Sequence, residues 1–492
     1  MSAATAYATL APVTDRRDPS PAVDGGPDRG LTADELLAVT GGTLLARSHR
    51  PILGGAVDSR EVGPGNLFVA LPGERTDGHR FVGAALAAGA AGVLVARSPD
   101  GVDVADVDAT VVRVEDPLRA LQAVATAWRA RFDPLVVGIT GSIAKTSTKE
   151  AVATVLGAAM PTLRNEGNLN NEIGLPLTVL RLRSQHRAAV LEMGMYVGGE
   201  IRDLAAIGRP EIGIVTAVQG VHLSRIGSLA AIADAKAELV EALPEDGVAI
   251  LNGDNTWTRA MRKRTRARVV QYGFWRGADV RAVDLASAGL DGMTFRLITP
   301  DGDAQVRIPT LGKLSVHNAT AAAAAGLAVG LPLAEVVESL ALGWSAPHRI
   351  NVIHAGGITI IDDSYNASPG SVQAALEILS DLPGRRIAVL GEMRELGDHA
   401  ESAHRKVGLL CSRCWDLLVV VDGLPGGGAA GLTVGAQRRG NDVIPVQDRD
   451  AARARLLELL RPGDVVLVKA SRGIELDVLV DELVSALGGA VA

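Results

Sequence analysis

An α/β fold divided among two or three domains is predicted by three features of the sequence. Val/Ile/Leu runs alternate with Ala-rich stretches, the chain of 492 residues exceeds what one hydrophobic core usually organises, and a strand, loop and helix signature begins at Val136. The sparse aromatics leave the packing to Ala, Val, Leu and Gly. Short apolar runs between helical stretches are the pattern of parallel sheets covered on both faces.

Taken in order, Met1 to Gly30 mixes Ala, Pro, Asp, Arg and Gly without the uninterrupted apolar core of a signal peptide, and reads as a disordered tail over 1–30. A first block spans 31–133. It opens with Thr32-Ala33-Asp34-Glu35-Leu36, a capped helix start, and carries Asp58-Ser59-Arg60 ahead of the apolar run Leu67 to Leu71. Asp58-Ser59-Arg60 suits an anionic or hydroxyl-rich ligand, and equally suits a cap with an ion pair. A second block, 134–345, repeats β-branched runs such as Ala188 to Leu191 and Ile212 to Val215, expected as successive parallel strands. The third block, 346–492, has runs at Thr359, Ile387, Leu417 and Val465, a Rossmann-like arrangement.

The net charge of −7 argues against a surface that coats nucleic acid. Ala319 to Leu333 is apolar but short and Ala/Gly-rich, expected as a buried helix rather than a membrane span. The chain is therefore expected to be soluble and cytoplasmic, with no nucleic-acid or membrane partner. Cys411-Ser412-Arg413-Cys414 lacks the second half of a zinc site, and its apolar neighbours favour two buried thiols on a helix.

Chemistry concentrates at Thr140-Gly141-Ser142-Ile143-Ala144-Lys145-Thr146-Ser147. Small residues let backbone N–H groups approach phosphate oxygens, a helix N-terminus adds positive potential, and lysine and hydroxyl supply a cation and a Mg²⁺ ligand. The spacing is not that of G-x-x-x-x-G-K-[ST], and Ala144 stands where a glycine normally precedes the lysine. Glu192 follows a buried strand directly, a suitable place for a carboxylate that holds Mg²⁺. Asn168, Asn170 and Asn171 fit turn chemistry or the orientation of phosphate and substrate amides. His222 and Lys236, taken alone, are an ordinary turn histidine and helix lysine. His317-Asn318 opens an Ala-rich helix, Arg349 can neutralise phosphate, and Asp362-Asp363 at a strand end suits ribose, metal water or an Asx turn.

In order along the chain stand Asp58-Ser59-Arg60, Thr140-Gly141-x-x-x-Lys145-Thr146, Asn168-x-Asn170-Asn171-Glu172-Ile173-Gly174, Glu192-Met193-Gly194, His222 and Lys236. They are followed by His317-Asn318, His348-Arg349, Asp362-Asp363-Ser364-Tyr365-Asn366-Ala367-x-Pro369 and Lys469-x-Ser471-Arg472. From about Leu31 to about Val484 the sequence resembles the Mur ligases, and most of all the member that joins D-alanyl-D-alanine to UDP-N-acetylmuramoyl-tripeptide. The resemblance implies a monomer with a UDP-sugar-binding first domain, a central P-loop ATPase domain and a Rossmann-like ligase domain. It implies ATP and two Mg²⁺ ions held by Thr146, Glu192, His222 and Lys236, the lysine being commonly carbamylated in the family. Gly141 to Ser147, Asn318, Arg349 and Asp363 would contact ATP. Ser59, Arg60, Asn168, Asn170, Asn171, Tyr365, Asn366, Ser471 and Arg472 would face the other substrates. Catalytic roles fall to Lys145, Glu192, His222, Lys236 and Arg349, and the reaction would run through an acyl phosphate.

Ala144 departs from the family pattern, as do Ser368, Gly370, Glu392 and Ala470. If position 144 needs φ > 0, alanine costs about 1 to 2 kcal/mol there. The other changes bear on the amino substrate, so a ligase for a different amino acid or dipeptide is one alternative. A non-catalytic nucleotide- and UDP-sugar-binding regulator is another.

Overall fold

Why the strands gather into three sheets follows from their burial: most central strands are apolar at every position and must be covered on both faces. The computed structural model describes residues 26–73, 76–220, 226–410, 413–440 and 442–489. Among them, the first sheet holds β1 (Thr43–Ala46), β2 (Gly55–Ala56), β3 (Leu67–Val69), β4 (Gly92–Val95) and β5 (Thr110–Arg113) in the order β1-β5-β4-β3-β2. Only β1 runs antiparallel to its neighbour. The preceding helix, Ala33–Thr40, starts on a capping box in which Thr32 and Glu35 satisfy each other's backbone N–H groups.

The second sheet contains β6 (Leu135–Thr140), β7 (Thr162–Arg164), β8 (Ala188–Glu192), β9 (Ile212–Val215), β10 (Val248–Asn252), β11 (Arg268–Gly273), β12 (Val280–Ser287), β13 (Met293–Thr299) and β14 (Gly302–Ile308). Its order is β14-β13-β12-β11-β10-β9-β6-β8-β7. The expectation of parallel strands holds from β6 to β12, and fails beyond: β13 and β14 add as antiparallel strands. Met293, Phe295 and Leu297 are buried while Arg296 between them is exposed, the period-2 pattern of a sheet with one wet face. The helix Lys313–Ala328 covers this sheet beside the helix Lys145–Ala159, and almost every one of its side chains is buried. His317 sits in its second turn, rather than opening it.

In the third sheet, β15 (Asn351–Ala355), β16 (Ile358–Asp362), β17 (Arg386–Leu390), β18 (Leu417–Val421), β19 (Val443–Val446) and β20 (Val465–Lys469) follow the order β15-β16-β20-β17-β18-β19. All pairs but β15 with β16 are parallel. The chain reverses its direction of travel between β17 and β20, and in open α/β sheets the crevice at such a point receives ligands.

One hydrophobic core runs without interruption from the first sheet into the second, joining Leu36, Leu94, Leu121 and Trp128 to Leu175, Leu180 and Leu204. The helix Pro117–Arg129 bridges them: Trp128 Nε1 donates to the Leu182 carbonyl, and buried Arg129 donates to the carbonyl of Gly208. Two other cores line the faces of the third sheet. Residues 26–30, grouped with the tail in the sequence, are tied to this body through Arg29 with Glu35 and Asp28 with Ser184. Residues 1–25 lie outside the described residues. The thiol expectation changes: the helix Ala400–Leu410 ends before Cys414, which is half-buried, and Cys411 lies outside the described residues. Among the described residues no helix is long and apolar enough to cross a membrane.

Candidate active site

Strand β6 is buried along its whole length, and at its end the chain turns through 141–144 into the helix Lys145–Ala159. Gly141 is required by close approach: a Cβ there would lie 1.8 Å from Thr216 Oγ1. Ala144 is the helix N-cap and takes φ 62°, ψ 5°, the left-handed conformation that costs an L-residue about 1 to 2 kcal/mol. Lys145 Nζ donates to the Gly141 carbonyl at 2.8 Å. Burial pushes the lysine pKa down; Glu192 opposes this and the charge of Arg349 adds to it.

Behind the loop, β8 delivers Glu192, which is 1% exposed. Its Oε1 accepts from Asn170 Nδ2 at 2.7 Å, whereas Oε2 is buried with no hydrogen-bond partner among the described residues. The Asn165 side chain accepts from the Glu192 N–H at 2.6 Å, and the Asn165 carbonyl accepts from fully buried Lys149 at 2.6 Å. Lys149, one turn beyond Lys145, therefore ties the loop helix to the carboxylate strand. Sequence reasoning missed Lys149; a lysine in an otherwise apolar helix face was the available signal. Lys236 lies on the helix Leu229–Glu241, 2% exposed, and its pKa falls well below the ordinary lysine value through burial and then through the charge of Lys145. His222 lies outside the described residues.

A cavity of about 960 Å³ opens between the second block and the third. It is lined by Ser142, Ile143, Ala144, Lys145, Thr146 and Ser147 of the loop, by Asn168 and Asn318, and by Arg349, Asp363, Tyr365, Asn366, Ser471 and Arg472 across from them. The Arg349 guanidinium stacks 4.2 Å from the centre of the Tyr365 ring; Arg472 lies 5.4 Å from it and donates to the Tyr365 hydroxyl at 3.4 Å. Arg349 stands between His348 and Ile350, both left-handed at φ 56° and 55°, a strain that a β-branched residue tolerates only where surrounding structure enforces it. His348 is fixed by Asp362 Oδ2, 2.7 Å from its Nδ1. Asp363 Oδ2 accepts from Lys469 Nζ at 2.6 Å, and burial raises the pKa of this aspartate against the pull of the lysine.

Several predicted residues serve local structure. Asn318 is buried and accepts from Thr148 at 3.0 Å. Asn171 Oδ1 accepts from the N–H groups of Gly174 and Ile173, which start the helix Gly174–Val179. Ser59 and Arg60 form a short turn capped by Asp58, outside the cavity, where the exposed Arg60 donates to Asp58 at 3.0 Å. Ser368, one of the departures, caps the helix Pro369–Ser380 in a reciprocal pair with Ser371. Serine is among the residues that cap a helix best.

With this geometry, comparison with known proteins gives one answer throughout the chain. Residues 53–129 match the Mur ligase family catalytic domain, 139–326 the Mur ligase middle domain, and 348–472 the Mur ligase glutamate ligase domain. The chain belongs to the Mur ligase family. A relative from Mycobacterium tuberculosis, named UDP-N-acetylmuramoyl-tripeptide--D-alanyl-D-alanine ligase, is 39% identical over 92% of this chain and 98% of its own. The crystal structure of MurF from Acinetobacter baumannii superposes with a TM-score of 0.82 at 31% identity, covering 93% of this chain and all of that one. MurF from Thermotoga maritima, solved in complex with ADP, gives a TM-score of 0.76 at 27% identity over 89% and 98% of the two chains.

Proposed function

We propose that this protein is the ATP-dependent amide ligase that joins D-alanyl-D-alanine to UDP-N-acetylmuramoyl-tripeptide in cytoplasmic peptidoglycan precursor synthesis, acting as a monomer. The observation that carries the reading is the cavity itself, in which a phosphate loop with its lysine faces two arginines from the opposite block. The names of the relatives, and the ADP complex of one of them, support it. In the three-domain reading, 31–133 takes the UDP-sugar, 134–345 takes ATP, and 346–492 brings the dipeptide.

The reaction class is acyl activation. The peptide carboxylate attacks the γ-phosphorus of ATP, ADP leaves, and the amine of the dipeptide then attacks the acyl phosphate and expels phosphate. Lys145 and Arg349 bind and orient the phosphates, and their charges stabilise the negative oxygens that transfer must pass through. Arg472 and Tyr365 close the opposite wall and help keep water from the acyl phosphate.

The residues present fit Mg²⁺. Glu192 keeps one buried oxygen unpaired, Thr146 stands in the first helical turn, and among the described residues no cluster of three His, Cys, Asp or Glu forms a protein-only cage. Mg²⁺ typically retains water and takes substrate phosphate as ligand, so such a sparse donor set suits it. Bound there, it supplies charge neutralisation at the β- and γ-phosphates. Lys236 fits carbamylation: its burial and the charge of Lys145 favour the uncharged, nucleophilic amine over the ammonium, and a carbamate formed with CO₂ would offer oxygens where an ammonium would repel a metal.

The test supplies purified protein with ATP, Mg²⁺, UDP-N-acetylmuramoyl-tripeptide and a panel of amino acceptors. Phosphate release that requires D-alanyl-D-alanine is expected. Release with another acceptor alone would identify a ligase of different specificity, and nucleotide binding without turnover a regulator.

A further inference from the structure

We infer that Thr216 is a positioning residue for the phosphate loop, holding in place a conformation that Ala144 by itself disfavours. The inference rests on the nucleotide reading given above. Thr216 follows β9 and is 3% exposed. Its backbone N–H donates to the Thr140 carbonyl at 2.9 Å, continuing the ladder between β9 and β6, and its own carbonyl accepts from Asn252 Nδ2 at 2.6 Å. The residue is thus fixed from both neighbouring strands.

From that base the Thr216 hydroxyl lies 2.6 Å from the Ile143 carbonyl and 3.3 Å from that of Thr140. A hydroxyl donates one hydrogen, so the shorter contact is the principal bond. Because the peptide is planar and trans, fixing the Ile143 carbonyl turns the Ala144 N–H to the opposite side, away from Thr216. The same hydroxyl fills the space beside Gly141 where any Cβ would lie. Two further bonds fasten the loop to this strap: Ser142 N–H donates to the Ala217 carbonyl at 2.8 Å, and the Ser142 hydroxyl accepts from Gln219 N–H at 2.9 Å.

The chemical consequence lies at residue 144. Glycine populates φ near 60° freely, so a loop with glycine there needs little help. Alanine at φ 62° is strained, and released from the strap it favours the right-handed region, where the 143–144 peptide rotates and its N–H no longer presents to phosphate. The Thr216 hydroxyl is the one side-chain donor among the described residues that holds the Ile143 carbonyl.

The experiment compares Thr216→Ser, which keeps the hydroxyl, with Thr216→Ala, which lacks it, each with residue 144 as alanine or as glycine. ADP affinity is measured by calorimetry, the KM of ATP and of the UDP-linked substrate by steady-state kinetics, and folding by melting temperature. Loss of one such bond is expected to weaken ADP binding and raise the ATP KM about tenfold in Thr216→Ala. The KM of the UDP-linked substrate should stay within about twofold, and Thr216→Ser should remain within about threefold of wild type. Ala144→Gly should recover at least about threefold in the Thr216→Ala background and gain less in wild type, a coupling between the two positions. Unchanged ADP binding in Thr216→Ala, an equal loss in Thr216→Ser, or no recovery on adding Ala144→Gly would overturn the inference. If Thr216→Ala does not fold, Thr216→Cys, whose thiol is only a weak donor, is judged by the same criteria. A wild-type protein that binds no ADP would overturn the nucleotide reading together with the inference; binding that ignores residue 216 overturns the inference alone.

Discussion

The side chain of Asn170 donates to Oε1 of Glu192 at 2.7 Å, and Oε2 of the same carboxylate is buried without a hydrogen-bond partner among the described residues. A buried carboxylate oxygen with no partner is costly, and a cation is the natural relief. Asn170→Ala should let the carboxylate rotate and raise the half-saturating Mg²⁺ concentration several-fold. Glu192→Gln should lower turnover by at least about a hundredfold while ADP without metal binds as before. A Mg²⁺ titration of activity beside calorimetry with ADP and EDTA measures both. Unchanged Mg²⁺ dependence in Glu192→Gln would remove this residue from the metal site.

Lys145 lines the cavity from the first turn of the loop helix, and the proposed reaction sets it against the phosphates. Lys145→Ala is expected to abolish turnover and leave binding of the UDP-linked substrate intact. Equilibrium binding of that substrate checks the second half, and full activity in the variant would sink the loop assignment.

Ala144→Gly relieves a left-handed alanine at a cost of about 1 to 2 kcal/mol, and glycine returns about 0.4 to 1 kcal/mol of that through its freer unfolded chain. Activity should hold or rise, and denaturant unfolding should show a gain between about 0 and 1.6 kcal/mol. A large loss of activity would mean that the alanine methyl group makes a contact glycine cannot replace.

Glu35 supports a test in acid. Partial burial raises its pKa, but hydrogen bonds from Arg29 and Thr32 and the charge of Arg131 outweigh this and bring it from 4.5 down to about 2. A carboxyl whose pKa is depressed on folding stabilises the fold above its unfolded value and loses that contribution as pH falls through the folded one. The stability difference between wild type and Glu35→Gln should thus be full above about pH 4.5 and fade toward pH 2. Urea unfolding of both proteins across this range measures it.

Tyr365 carries Arg349 on its face and Arg472 beside its hydroxyl. Stacking at such a partly exposed site contributes about 0.5 to 1 kcal/mol per cation. Tyr365→Leu should raise the ATP KM several-fold, whereas Tyr365→Phe, which retains the stack, should stay near wild type. Equal effects of the two substitutions would assign the role to the hydroxyl.

The sequence made the strand, loop and helix from Val136 onward legible because their residues are consecutive, and made β8, β9, β18 and β20 legible because doubly covered strands are continuous apolar runs. Strands β13 and β14 escaped because their apolar residues alternate with polar ones and the surrounding pattern pointed to parallel pairing. Asn171, Asp58 and Ser368 show a second limit: side-chain oxygens that accept from the N–H groups of a turn or helix start are of the same kinds that bind ligands, and no local pattern separates the two uses. Thr216 meets Ile143 across 73 residues of chain, a pairing no local pattern encodes.

The core shared by the first and second sheets determines which parts of the chain can be inherited separately. The helix Pro117–Arg129 packs through Trp128 onto elements beyond position 134, in the one core that also holds Leu36 and Leu94, so a transplanted first block would arrive in a foreign chain with this apolar surface uncovered. The third sheet carries cores on both its faces, drawn almost wholly from residues after 350. Recombination near residue 346 therefore exchanges a self-sufficient unit together with the dipeptide specificity proposed for it, whereas a crossover near residue 133 must preserve two sets of leucines at once.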